Sequence, residues 1–72
     1  MPRLPVLSGA KLIKALERLG FEQVRQRGSH VVMRRGSDGT VVPLHREVKT
    51  GTLAGILRQA GVTQDELLGA VE

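Results

Sequence analysis

Histidine is the side chain whose ordinary titration lies closest to neutral pH, and this chain carries two of them, His30 and His45. His30 directly follows Gly28-Ser29, a pair suited to a type II′ turn, so the spacing predicts an imidazole on an open surface. Arginines flank it on both sides, Arg25 and Arg27 before it and Arg34 after it. Imidazole beside guanidinium is a set suited to cleavage of RNA by its own 2′-hydroxyl. One group takes the 2′ proton, another protonates the 5′-leaving oxygen, and a cation stabilises the charged phosphorane. The residues alone also admit a blander reading, in which His30 is an ordinary surface residue at a hairpin turn.

Other chemistries find less in the chain. Metal-dependent hydrolysis needs carboxylates or His, Asp and Glu ligands that converge on an ion. The seven acids here are scattered, and Glu47 alone lies close in sequence to His45, so chemistry without a metal or other cofactor is expected. A serine nucleophile would need a neighbouring base. Ser29 cannot readily use His30, because adjacent strand residues point to opposite faces, and it reads as a turn residue. Cysteine is absent, which removes disulfides, thiolate catalysis and cysteine-based zinc sites, and suits a reducing, cytoplasmic setting.

The charge pattern points to a polyanion. Asp65, Glu66 and Glu72 hold three of the seven acids, so residues 1–64 carry all eleven Lys and Arg against four acids, a net of +7. Such an excess favours phosphate backbones through counterion release, although solubility alone would also account for it. Phe21 is the single aromatic residue, which argues against a base-stacking platform. The start, Met1-Pro2-Arg3-Leu4-Pro5-Val6-Leu7, breaks its apolar patch with two prolines and so lacks the apolar core of a secretory signal, and no run is long enough to span a bilayer. With 72 residues, the chain is read as one domain, residues 1–72, with little room for a deep pocket.

The elements that must position these side chains follow from periodicity. Ser8 as N-cap, Leu12, Ile13, Leu16 and Leu19 at helical spacing, and Gly20 as the residue past the end predict a helix over 9–19. From Phe21 the period changes to two, and strands are predicted at 21–27, 30–35 and 40–45, with turns at Gly28-Ser29 and centred on Ser37-Asp38. These turns place Val24 opposite Met33, Val31 opposite Leu44 and Met33 opposite Val42. Val24, Val31, Met33, Val42 and Leu44 would then form the core face. The other face collects Gln23, Arg25, Arg27, His30, Val32, Arg34, Val41, Pro43 and His45, with His30 directly across from His45, their Cβ atoms about 4.5–5.5 Å apart. Pro43 cannot donate to a ladder, so the third strand is an edge. Thr50 is expected to cap a second helix that ends at Gly61 and packs on the core face beside the first. Thr63-Gln64-Asp65-Glu66 reads as a capping box, with Val62 and Leu67 as its hydrophobic staple, and opens a short last helix.

Four blocks in this order and spacing carry a resemblance. Gly20-Phe21, Arg25-Gln26-Arg27-Gly28-Ser29-His30, Val42-Pro43-Leu44-His45, and Lys49-Thr50-Gly51-Thr52-Leu53 with Ile56-Leu57 closely resemble the HicA family of toxin–antitoxin mRNA interferases, over roughly residues 8–68. The resemblance implies an α+β, double-stranded-RNA-binding-domain-like fold: α-β-β-β-α, a three-stranded antiparallel meander with helices on one face, followed here by a short C-terminal helix. It also implies a toxin that acts as an endoribonuclease on mRNA and is neutralised by a HicB-type antitoxin protein. The family's catalytic histidine maps onto His30. His45 matches the histidine after the proline, as a second catalytic residue or as a phosphate contact or structural hydrogen bond. Arg25, Arg27, Ser29, Arg34, Arg46 and Lys49 form the candidate RNA-binding set. The aromatic residue that often follows the family's histidine is replaced by Val31-Val32. Two rivals to the toxin reading are a non-catalytic RNA-binding module on the same basic sheet and an interaction domain whose basic face receives an acidic protein.

Overall fold

The computed structural model describes residues 4–71, which form α1 (Gly9–Arg18), β1 (Glu22–Arg27), β2 (His30–Arg35), β3 (Asp38–Pro43), α2 (Thr50–Ala60) and α3 (Gln64–Ala70). Residues 1–3 of the proline-interrupted start, and residue 72, lie outside the described residues. The Ser8 hydroxyl accepts the Lys11 backbone N–H at 3.1 Å and starts α1, whose Leu12, Ile13, Ala15 and Leu16 are buried. Gly20, at φ 98°, lets the chain reverse after this helix without the clash a side chain would meet there.

The three strands form one antiparallel sheet in the order β1-β2-β3, so β3 is an edge strand as Pro43 requires. Both hairpins turn on the same dipeptide. Gly28 (φ 54°) and Gly36 (φ 60°) take positive φ while Ser29 and Ser37 do not, the pattern of a type II′ turn. The first turn is the expected one. The second is centred on Gly36-Ser37, one residue earlier than expected, and Arg35 pairs with Asp38. Strand β3 therefore ends at Pro43, and the register moves by two residues. Because side chains alternate with period two, an even step keeps the faces and changes the partners. Val31 and Met33 stay in the core, but Val31 now opposes Val42, and Met33 opposes Thr40. Thr40 is buried, its hydroxyl donating to Gln59 Oε1 at 3.2 Å. Leu44, expected in the core, falls past the strand end and is 38% exposed.

A second correction concerns β1. Its pairing follows the expected register from Arg27 back to Arg25 and then shifts across a β-bulge between Gln23 and Arg25. Val24 is the extra residue, 52% exposed instead of in the core, while Gln23 pairs with Met33 and turns to the helix-covered side. Along this edge the whole strand is exposed.

The helices cover one face of the sheet. Helix α2 packs on β3, and α1 touches both β3 and α3, closing a core of Leu12, Leu16, Val31, Met33, Val42, Leu53 and Leu67. Lys49, not Thr50, occupies the N-cap of α2, and no side chain caps it; Thr50 is its first helical residue. Gly61 ends the helix in the left-handed region. Helix α3 starts as expected with the full Thr63/Glu66 capping box, which holds the Glu66 carboxyl below its ordinary pKa, chiefly through the Thr63 backbone N–H. Val62 and Leu67 are both buried beside it.

The approach of α1 to the end of β3 depends on Gly9. A Cβ there would collide with the Pro43 carbonyl oxygen and lie 2.9 Å from Leu44 Cα, both backbone atoms that cannot swing away. Gly9→Ala is thus expected to destabilise the fold by about 1–3 kcal/mol or more, despite alanine's better helix propensity. Urea unfolding measures this directly, and unchanged or increased stability would show that the helix and strand end are not held in contact.

Candidate active site

His30 is the first residue of β2 and is exposed, presented by the Gly28-Ser29 turn. Its cross-strand partners are Arg27 on β1 and Pro43 on β3. Directly paired residues share a face, so Arg27 stands beside His30 on the side opposite the buried Val31 and Met33. One pleat further along, Arg25, Val32 and Val41 form the next row, and Arg34 lies beyond it, opposite Glu22 and Gly39. The open face of the sheet therefore presents His30, Arg25, Arg27 and Arg34 together, as the alternation predicts.

The turn is fixed from behind by the backbone. Leu44 N–H donates to the Ser29 carbonyl oxygen at 2.6 Å, and Gly9 N–H donates to the His45 carbonyl oxygen at 2.9 Å. These two bonds tie the His30 turn, the end of β3 and the start of α1 to one another. Just beyond, Val48 N–H bonds to the Leu7 carbonyl at 2.7 Å and aligns the segments that lead into α1 and α2. Ser29 thus contributes its carbonyl to the clamp at the turn.

His45 is not across from His30. The two-residue change of register gives Pro43 that place, and His45 lies after the strand, exposed, in the segment leading to α2. Arg46 and Lys49 follow it there, both exposed. The sheet accordingly gathers one part of the candidate set, and the β3–α2 segment carries the rest. Arg35 has a different role: it donates to the Leu19 carbonyl at 2.8 Å, lies 4.6 Å over the Phe21 ring and reaches Asp38 at 4.0 Å. It pins the α1–β1 connection to the second hairpin.

Val32 and Val41 stand on the open face, as the alternation predicts, and Val24 joins them there instead of the core. Val24 and Val32 line one shallow depression with Arg25 and Arg34 on the open face. A bulge has no reliable mark in a single sequence, so Val24 could not be moved out of the core by pattern alone. Among the described residues, no three His, Cys, Asp or Glu side chains converge on a common point. No described helix is long and apolar enough to cross a membrane.

A search of curated proteins returns no match. A family model does match, that of the HicA toxin of bacterial toxin–antitoxin systems, over residues 9–62. The matched span begins at the first residue of α1, takes in the whole sheet and the His30 turn, and ends just past α2. Since that is well over half of the chain and contains the site itself, the chain belongs to the HicA toxin family and is a toxin of a bacterial toxin–antitoxin system.

Proposed function

We propose that this toxin is a metal-independent endoribonuclease that cleaves mRNA by histidine acid/base catalysis, with His30 the principal catalytic residue. The observation that carries the reading is the placement of an exposed imidazole at a backbone-clamped turn, beside Arg27 and on one face with Arg25 and Arg34. The arginines hold the phosphates and offset charge on the phosphorane, while His30 takes the 2′-hydroxyl proton as the 2′-oxygen bonds to phosphorus and solvent water protonates the 5′-oxygen as it leaves. Arg46 and Lys49 extend the path of the RNA past the end of β3, and His45 contacts a phosphate there rather than forming a facing pair with His30. A HicB-type antitoxin covers the His30 face, and charge complementarity speeds its association. The chain works as a single domain in the cytoplasm, where its RNA substrate is.

The test is the chemistry of the ends. Purified protein with labelled RNA is expected to cleave in excess EDTA and to leave 2′,3′-cyclic phosphate or its hydrolysis product. Loss of cleavage in EDTA, restored by a divalent ion, would refute the metal-free mechanism. Binding of RNA with no cleavage under any of these conditions would favour the non-catalytic RNA-binding module.

A further inference from the structure

The open sheet face is not uniformly polar. On an antiparallel sheet with one side in water, outward positions are usually polar, yet the middle of this face carries an aliphatic cluster beside Arg25. Val32 pairs directly with Val41, which is 43% exposed, and on its other side shares a shallow depression with Val24, which the bulge leaves 52% exposed. Arg25, Arg27 and Arg34 surround this cluster, and His30 is its neighbour two residues along β2.

We infer that the Val24, Val32 and Val41 cluster is the apolar centre of a protein-docking surface whose occupant is an antitoxin with an acidic docking face, and that this centre separates antitoxin binding from RNA binding. The inference rests on the reading that the antitoxin covers the His30 face. An aliphatic centre within a charged rim is the anatomy of a protein interface. A second copy of this chain would set arginines against arginines if it stacked face to face, so the rim selects a partner of opposite charge. RNA shares the arginines but meets them chiefly through hydrated phosphates, and aliphatic side chains give its bases no aromatic ring to stack on. Antitoxin binding should therefore keep a salt-resistant component that RNA binding lacks.

The experiment uses a Val32→Thr/Val41→Thr double variant, which retains β-branching and strand shape, and an Arg25→Glu/Arg34→Glu variant, each checked by thermal melting. Affinities are measured at low and high salt for the purified cognate antitoxin, and for RNA in a His30→Ala background that prevents turnover. The threonine variant is expected to lose about 10-fold or more of its antitoxin affinity at both salt levels and to bind RNA within about two-fold of its parent. Unchanged antitoxin affinity in the threonine variant, with a loss in the glutamate variant, would overturn the inference and leave occlusion of the His30 face standing. Unchanged antitoxin affinity in both variants would remove that occlusion as well. Equal losses for antitoxin and RNA would make the valine cluster part of the RNA site and would also overturn the inference.

Discussion

Replacing His30 with alanine is expected to lower RNA cleavage by about 10²–10⁴-fold, the usual contribution of a positioned acid/base group. The fold should survive the change. The imidazole is exposed, and the bonds that hold its turn are made by backbone, from Leu44 N–H to the Ser29 carbonyl and from Gly9 N–H to the His45 carbonyl. RNA affinity should change little, because the arginines of the sheet face remain in place. Single-turnover cleavage of a labelled RNA, with binding measured separately, checks this. His45→Ala is the internal comparison. Pro43, not His45, is the cross-strand partner of His30, so loss of His45 is expected to weaken RNA binding more than it slows a bound substrate. A folded His30→Ala protein that cleaves at a rate close to the parent's would remove His30 from the chemistry. A His45→Ala rate loss as large as that of His30→Ala would mean that the two imidazoles meet on the substrate although His45 lies past the end of β3.

The parts of this arrangement that could be read without coordinates are those governed by local chemistry. Ser8, Gly20, Gly61 and the Thr63/Glu66 box mark helix ends because each supplies a hydrogen-bond partner or a left-handed residue that the backbone needs there. Gly28-Ser29 fixes the first hairpin for the same reason, and with it the side of the sheet on which His30, Arg25 and Arg27 stand. The second hairpin offered two glycines, Gly36 and Gly39, and the choice between them depends on which register fills the core. Pairing Val31 with Val42 lets Thr40 reach Gln59 of α2, a contact that belongs to the packed structure and not to the strand itself. The bulge at Val24 and the contact of Gly9 with Pro43 and Leu44 are likewise long-range. Face assignment withstood the register error because the error was two residues. The proposed pairing of the histidines did not, since pairing depends on the register itself.

The origin of the nucleophile gives the other large effect. If the 2′-hydroxyl attacks the adjacent phosphorus, RNA carrying a single 2′-deoxy or 2′-O-methyl nucleotide on the 5′ side of the scissile phosphate should not be cut there, whatever the enzyme concentration. The same substitution one or more nucleotides away should leave cleavage nearly unchanged. Binding should persist in both cases, because the contacts proposed for Arg25, Arg27 and Arg34 are to phosphate oxygens, which the modification does not remove. The expected signature is thus a loss in the rate of the bound complex with little change in affinity, the mark of an interaction made only as the reaction proceeds. Mapping cut sites on an RNA and its singly modified counterpart gives the answer directly. Efficient cutting at the modified position would place the nucleophile outside the RNA, in water or a side chain. A water nucleophile would recast His30 as the group that activates it, and the products would then carry ordinary monophosphate ends instead of a cyclic phosphate.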